Sequence, residues 1–598
     1  MTQIAHTMPF GAELRADGVA FRLWAPGRER AQVVVDGRTH ALEARGDGWF
    51  ERELADARAG SRYAFAFPGL DHTVPDPASR FQPEGVHAPS EVIDPGAYRW
   101  RERGWRGRPW HEAVLYELHV GTFTPEGTYA AAAARLDELT ALGVTAIELM
   151  PLAQPAGTRN WGYDGVYPFA PQHAYGRPEE LKAFVDAAHA RGLSVFLDVV
   201  YNHFGPEGNY LHLYADAFFT ERHHTPWGAA IDVDGERSHT VREFFVQNAL
   251  YWLREYRFDG LRLDAVHEIR DDSPRPFLHE LAARVRAELA PERHVHLVVE
   301  NDANDASLLD RYDAQWNDDA HHALHVLLTG ERDGYYRDFA REPARLLARA
   351  LTEGFAYQGE TSEHRNATPR GMPSAGLPAT AFVDFLQNHD QIGNRAFGER
   401  ISALAPPEAV DAAHAVVLLA PAIPLLFMGE EWAASTPFRF FSDFGGDLGK
   451  AVTEGRRREF GAWPAFADPA LRARIPDPED PATMRASTLR WDERAQEPHA
   501  SALARTRALL TLRRERIAPL LAHEPHGEAH ALLGPTALRV VWRVGEGARL
   551  TLLANLGDEP LSAAVRPDGE PLFFVGAVEV DASAVTLGAW SVAWYLRS

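Results

Sequence analysis

The sequence predicts a multidomain protein built around a central (β/α)8 TIM barrel, with a β-sandwich at its N-terminal and another at its C-terminal end. Three observations carry this expectation. Both ends show strand-like alternation, the long middle stretch alternates short apolar runs with helical patterns, and chemically active side chains gather where those apolar runs stop. At 598 residues the chain is too long for one hydrophobic core, so two to four domains are expected.

The first alternating segments run from Val19 to Pro26 and from Ala31 to Gly37, broken by Gly and Pro, which is the texture of short antiparallel strands. They assign residues 1–93 to an N-terminal sandwich, followed by a Pro- and Arg-rich linker over 94–112. The barrel is expected over 113–522. Its eight strands are placed at Val114–Val120, Val144–Leu149, Ser194–Val200, Gly260–Asp264, His296–Glu300, Asp313–Trp316, Thr380–Leu386 and Ile423–Met428. Apolar residues at helical spacing mark helices over Tyr129–Leu142, Pro178–Arg191 and Thr240–Tyr256, and an Arg-rich helix over Ala500–Leu521 closes the series. A short insertion lies at about 204–238. Strand texture returns over 523–598, in Ala537–Trp542 and Leu550–Asn555, as a second sandwich. No internal repeat points to a solenoid or propeller.

Composition excludes several partners. A formal charge of −23 disfavours nucleic acid and anionic membrane surfaces, both of which need a basic face. No stretch approaches the ~20 apolar residues of a membrane span, and Met1–Glu13 lacks the pattern of a secretory signal. The chain has no cysteine, which removes disulfides and thiolate metal sites and fits a reducing compartment. A cytoplasmic location and a neutral substrate are therefore expected.

In such a barrel the active site lies at the C-terminal ends of the strands. The third strand ends in Asp198-Val199-Val200-Tyr201-Asn202-His203, the fourth in Arg262-Leu263-Asp264, the fifth in Glu300-Asn301-Asp302 and the seventh in Asn388-His389-Asp390. Any one of these could cap a helix or form a structural ion pair. Four in succession are not explained that way, because clustered acids in a low-dielectric setting are costly unless the site uses them.

These four segments resemble the signature regions of the α-amylase superfamily of glycoside hydrolases, and the likeness extends over nearly the whole chain. The resemblance implies that Asp264 is the nucleophile, Glu300 the general acid/base and Asp390 a third carboxylate that stabilises the transition state. Retaining cleavage needs one ionised and one protonated carboxyl about 5–5.5 Å apart. Arg262, two residues before Asp264 on the same strand face, is suited to orient it. His203 and His389 are implied to hydrogen-bond the sugar, Tyr163 to stack on a glucose ring, and Trp161 to line the site or pack. Asp198 and Asn202 are implied to shape it. In relatives with a large domain after the third strand the Asn can ligate calcium. Here the insertion is short, so neither a metal nor a cofactor is expected. The N-terminal sandwich is implied to be immunoglobulin-like, as in carbohydrate-binding modules.

Within the superfamily the segments Tyr116–Phe123, Asn160–Tyr167, Arg262–His267, Trp316–His322 and His389–Arg395 are most similar to the malto-oligosyltrehalose trehalohydrolases. That branch implies a malto-oligosaccharide substrate ending in trehalose, supplied by a malto-oligosyltrehalose synthase. Recognition of that end is assigned to Glu268, Asp318, Asp319, His321, His322 and Gln391, and His267 and Asn394 are implied to bind substrate. Glu268 is acidic where a small residue is more usual. Two other readings stand beside this one: a glucan branching enzyme, which passes the same intermediate to a sugar hydroxyl, and a noncatalytic glycan-binding or scaffold protein, against which the intact carboxylate triad weighs.

Overall fold

The computed structural model describes residues 4–598 apart from 291, 462, 464 and 465. Residues 1–3, the start of the expected N-terminal sandwich and of the segment read for a secretory signal, lie outside the described residues.

Eight parallel strands close into a barrel. They are β1 (Leu115–Leu118), β2 (Ala146–Leu149), β3 (Ser194–Val199), β4 (Gly260–Leu263), β5 (His296–Val299), β6 (Ala314–Trp316), β7 (Phe382–Phe385) and β8 (Ile423–Phe427). Each observed strand stops short of the polar residues that follow its apolar run. Asp264, Glu300, His203 and the Asn388–Asp390 segment therefore stand past the last ladder hydrogen bonds, whereas Asp198 and Arg262 lie within them. Register sets their level: Asp198 pairs with Arg262, and Glu117 with Glu148. Gly260 opens β4 because a Cβ there would meet the Phe196 ring at 2.1 Å.

The helices around the barrel are α1 (Pro178–His189), α2 (Ser238–Glu255), α3 (Phe277–Leu289), α4 (Asp318–Thr329), α5 (Pro343–Glu353), α6 (Pro407–Leu419) and α7 (His499–Leu512). Two expectations are corrected. The helix placed at Tyr129–Leu142 is two pieces, Tyr129–Ala133 and Leu136–Leu142, with Arg135 out of helical register between them. The closing helix ends at Leu512 and passes through a π turn (Arg513–Ile517) into a 3-10 turn (Ala518–His523), where Pro519 interrupts the α-helical ladder. Between β5 and β6 only a 3-10 turn, Ala306–Asp310, replaces a helix.

The N-terminal strands form two four-stranded antiparallel sheets. Their inner faces meet through Phe21 and Tyr63, whose ring centroids are 5.0 Å apart. The docking on the barrel is ionic as well as apolar. Buried Glu255 on α2 receives Lys182 at 3.2 Å and Arg80 at 3.5 Å, and Arg80 also donates to the carbonyls of His6 and Ala12. At the other end a five-stranded and a three-stranded sheet form the C-terminal sandwich. It is pinned by two stacked, fully buried tryptophans: Trp542 donates to the Leu351 carbonyl on α5 at 2.8 Å, and Trp594 to the Ala415 carbonyl on α6 at 3.0 Å.

No helix among the described residues is long and apolar enough to cross a membrane.

Because Trp594 combines full burial with a hydrogen bond to the Ala415 carbonyl, Trp594→Ala is expected to cost about 3–5 kcal/mol of stability. Denaturant titration reads this as a lower midpoint; an unchanged midpoint would remove the pinning role.

Candidate active site

Three of the four strand ends converge on one guanidinium. Arg262 is fully buried in the barrel, with its planar head 4.1 Å from the centroid of Trp316. It donates through Nη1 to Asp198 Oδ2 at 2.7 Å and to Asp264 Oδ1 at 2.8 Å. Its Nη2 stands 3.1 Å from Glu300 Oε2. A buried cation costs several kcal/mol unless it is paired, and these carboxyl groups pair it.

Asp264 and Glu300 share this partner but not their remaining contacts. The second oxygen of Asp264 accepts from Asn202 Nδ2 at 2.9 Å, so both its oxygens are engaged. Glu300 Oε2 also accepts from the backbone N–H of Ala265 at 2.7 Å. That N–H is aimed by a left-handed backbone at Ala265, with φ 39° and ψ 50°. Burial raises the Glu300 carboxyl well above its ordinary range. Arg262 acts against the shift, while Asp264, Asp390 and Asp318 add to it. Asp390 is shifted the other way. Burial would raise it, but His389 above all and then Arg262 hold it below the usual value.

His389 lies beneath Asp390, its Nε2 3.4 Å from Oδ1 and its ring stacked on Tyr163 at 5.1 Å. The Tyr163 hydroxyl sits between Asp198 Oδ2 at 2.6 Å and His389 Nε2 at 2.8 Å. Its ring is thus committed to the floor of the site. His203 binds the Tyr163 carbonyl through Nε2 at 3.0 Å. Over it lies Trp227, 51% exposed, with ring centroids 4.9 Å apart.

The carboxylates open into a cavity of about 540 Å3. Of the residues picked out in the sequence, Asp264, Glu300, Asp390, His203, His389, Tyr163, Trp161, His267, Asp318, His322, Gln391 and Asn394 line it. Arg262 lies beneath and acts through the carboxylates. Three others do not reach it. Asp319 is fully buried, bonded to Arg370 and to the backbone N–H groups of Ala356 and Tyr357. His321 bonds the Leu386 carbonyl and the Tyr336 hydroxyl. Glu268 faces Arg270 at the rim. Trp161 is almost wholly packed, stacked on Phe438 and bonded to the Arg439 carbonyl.

Sequence reasoning missed the far wall: Trp227, Tyr335, Asp338, His364, Arg365 and Arg370. Trp227 stands in the turn of the hairpin Phe219–Thr225/Gly228–Ile231, and Arg365 and Arg370 on the hairpin Glu360–Ser362/Thr368–Arg370. A tryptophan between Pro226 and Gly228 was the available signal, since a turn offers it nothing to pack against.

The residues do not fit calcium at Asn202. Its amide nitrogen donates to Asp264 and its oxygen faces His203 Nδ1, which leaves no carbonyl for a cation. Among the described residues one group, His223, Asp234 and Asp272, brings ligand-type atoms together, but Asp234 is already paired with Arg222.

Two family models match: "Alpha amylase, catalytic domain" over residues 119–227 and "Domain of unknown function (DUF3459)" over residues 525–594. A malto-oligosyltrehalose trehalohydrolase of Deinococcus radiodurans is 44% identical over 94% of this chain and 90% of its own length. One from Rhizobium sp. (strain M-11) is 42% identical over 93% and 94%. A glucan branching enzyme of Bordetella bronchiseptica matches at 36% over only 46% of this chain and 40% of its own. Among solved structures, a Salmonella typhimurium protein described provisionally as an alpha amylase superposes with a TM-score of 0.93. It is 45% identical over 99% of this chain and all of that one.

The charge pattern makes a pH prediction. Asp318, pushed up to about 7 by burial, is charged only above that pH, and there it helps to keep Glu300 protonated. Asp318→Asn is therefore expected to move the basic limb of the kcat/KM profile to lower pH and to leave the acidic limb in place. A basic limb that stays put would disprove the coupling.

Proposed function

The chain belongs to the malto-oligosyltrehalose trehalohydrolase family and is a glycoside hydrolase, and on that premise we infer that Asp264, Glu300 and Asp390 release trehalose from malto-oligosyltrehalose. The bond cut is the α-1,4 linkage next to the terminal α,α-1,1-linked pair of glucoses. The observation that carries the residue assignment is the single guanidinium of Arg262 spanning Asp198, Asp264 and Glu300.

Asp264, its orientation fixed by Arg262 and Asn202, attacks the anomeric carbon while Glu300 gives its proton to the departing trehalose oxygen. A glycosyl ester on Asp264 results. Glu300, now ionised, takes a proton from water, and the water oxygen displaces Asp264 and frees a shortened maltodextrin with the α configuration retained. The raised affinity of Glu300 for its proton suits it to the first half of this cycle. Asp390 holds sugar hydroxyls at the cleaved ring, with His389 behind it. The trehalose unit is assigned to the lobe beyond Glu300, where Asp302 bridges His267 at 3.2 Å and Arg365, with His322, Tyr335 and Asp338 nearby. Fixed, mutually paired polar groups of this kind penalise a substrate that leaves them unmatched.

We place the enzyme in the cytoplasm, on a cysteine-free composition that fits a reducing compartment, and downstream of a malto-oligosyltrehalose synthase that provides its substrate.

Product analysis tests the reading. Incubated with malto-oligosyltrehalose, the enzyme should yield trehalose, with the α-anomer appearing first at the new reducing end by NMR; new α-1,6 branches without trehalose, or the β-anomer first, would overturn it. Asp264→Asn should lower kcat by about 10⁴-fold or more with the fold intact.

A further inference from the structure

The site contains a carboxylate that the cleavage scheme leaves unused. Glu117, on β1, is 1% exposed, as is His389. It grips His389 at two points: Oε1 contacts the ring Nδ1, and Oε2 accepts the backbone N–H at 3.1 Å. The far side of the ring is defined by proton counting. The Tyr163 hydroxyl has one hydrogen. Asp198, pushed up to about 6 by burial and mostly ionised at neutral pH, accepts it at 2.6 Å. Toward His389 the same oxygen can then only accept, so Nε2 carries a hydrogen. Nδ1 faces a carboxylate and must carry one too.

We propose that Glu117 is a positioning residue that holds His389 as an imidazolium, so that the cleavage subsite carries a fixed positive charge beneath Asp390. The groups around the ring support one cation and no second one. Asp390 faces it from its own segment, and Tyr163 with Asp198 from the β2 and β3 ends. Trp161 and Trp316 present rings, and Arg262 lies beyond Trp316. His119 is driven down to about 4 by burial and stays neutral. Glu148 pairs in register with Glu117 and has no hydrogen-bond partner on either oxygen. Burial, then the charges of Glu117 and Asp198, raise it well above the carboxylate range, so it keeps its proton. Burial alone would favour a neutral His389, but Asp390 and Glu117 together outweigh it. The consequence is a fixed positive charge 3.4 Å from Asp390 Oδ1 that keeps Asp390 ionised, while the Nε2 hydrogen is held by the Tyr163 hydroxyl.

The catalytic consequence rests on the cavity being the cleavage site, but the ionisation state does not, and it is read without substrate. In 15N-histidine-labelled protein, with His389 assigned by the signal lost in His389→Asn, both ring nitrogens should show protonated shifts from about pH 6 to about pH 9. In Glu117→Gln the same signals should titrate within that range, with kcat/KM about 10–100-fold lower and falling as pH rises through the same midpoint. Glu117→Asp, which keeps the charge, should retain the imidazolium. A neutral His389 in the unmodified enzyme at neutral pH overturns the proposal whether or not the glutamine variant folds. So does a Glu117→Gln enzyme whose His389 shifts and pH profile match the original.

Discussion

The structure turns on the burial of Arg262. A guanidinium with no exposed surface, capped by the Trp316 ring, cannot be left unbalanced in the centre of a barrel. Asp198, Asp264 and Glu300 supply the balance, and they come from three different strands. The parallel register that pairs Asp198 with Arg262 is therefore an electrostatic requirement as much as a hydrogen-bonding one. A slip of one residue would turn Arg262 out of the interior and strand its carboxylates together. The same charge balance splits the acids by role. Asp264 has both oxygens engaged, whereas Glu300 has one oxygen held and its proton retained by burial.

Around this centre lies a second, smaller balance. Glu117 and Asp390 flank His389, and the neutral Glu148 sits alongside. Tyr163 links the two systems through one hydroxyl that touches both Asp198 and His389. The floor of the cavity is thus one continuous network. Its parts resist independent substitution, because each removal leaves a buried charge unpaired.

Much of this was legible in the sequence because strand ends announce themselves: an apolar run stops and a run of His, Asp and Asn begins. The barrel, its flanking sheets and the residues at the ends of β3, β4, β5 and β7 follow from that pattern. The pattern fails where the chain leaves regular structure. Trp227, Arg365 and Arg370 sit on hairpins whose sequences have neither clean alternation nor helical spacing, so only the fold brings them to the cavity. The Asp318–His322 segment teaches a different lesson. All four polar residues named there were given the same role, yet they begin helix α4. Positions 318 and 322, four apart, share the face toward the cavity, while 319 and 321 point into the protein. Helical geometry already contained that distinction. The missing helix between β5 and β6 was not readable, because a short connection carries no period.

The left-handed residue after Asp264 sets a limit on how this site can change. Ala265 adopts a backbone that L-residues enter at a cost of about 1 kcal/mol or more, and it does so to aim its N–H at Glu300. Glycine would take that shape without strain but would release the turn to other conformations. A β-branched side chain would resist the shape altogether. The position is in effect closed to most of the amino-acid alphabet, although its methyl group takes no part in the chemistry. Drift in this enzyme is thus constrained next to Asp264 by a residue that no inspection of functional side chains would have marked.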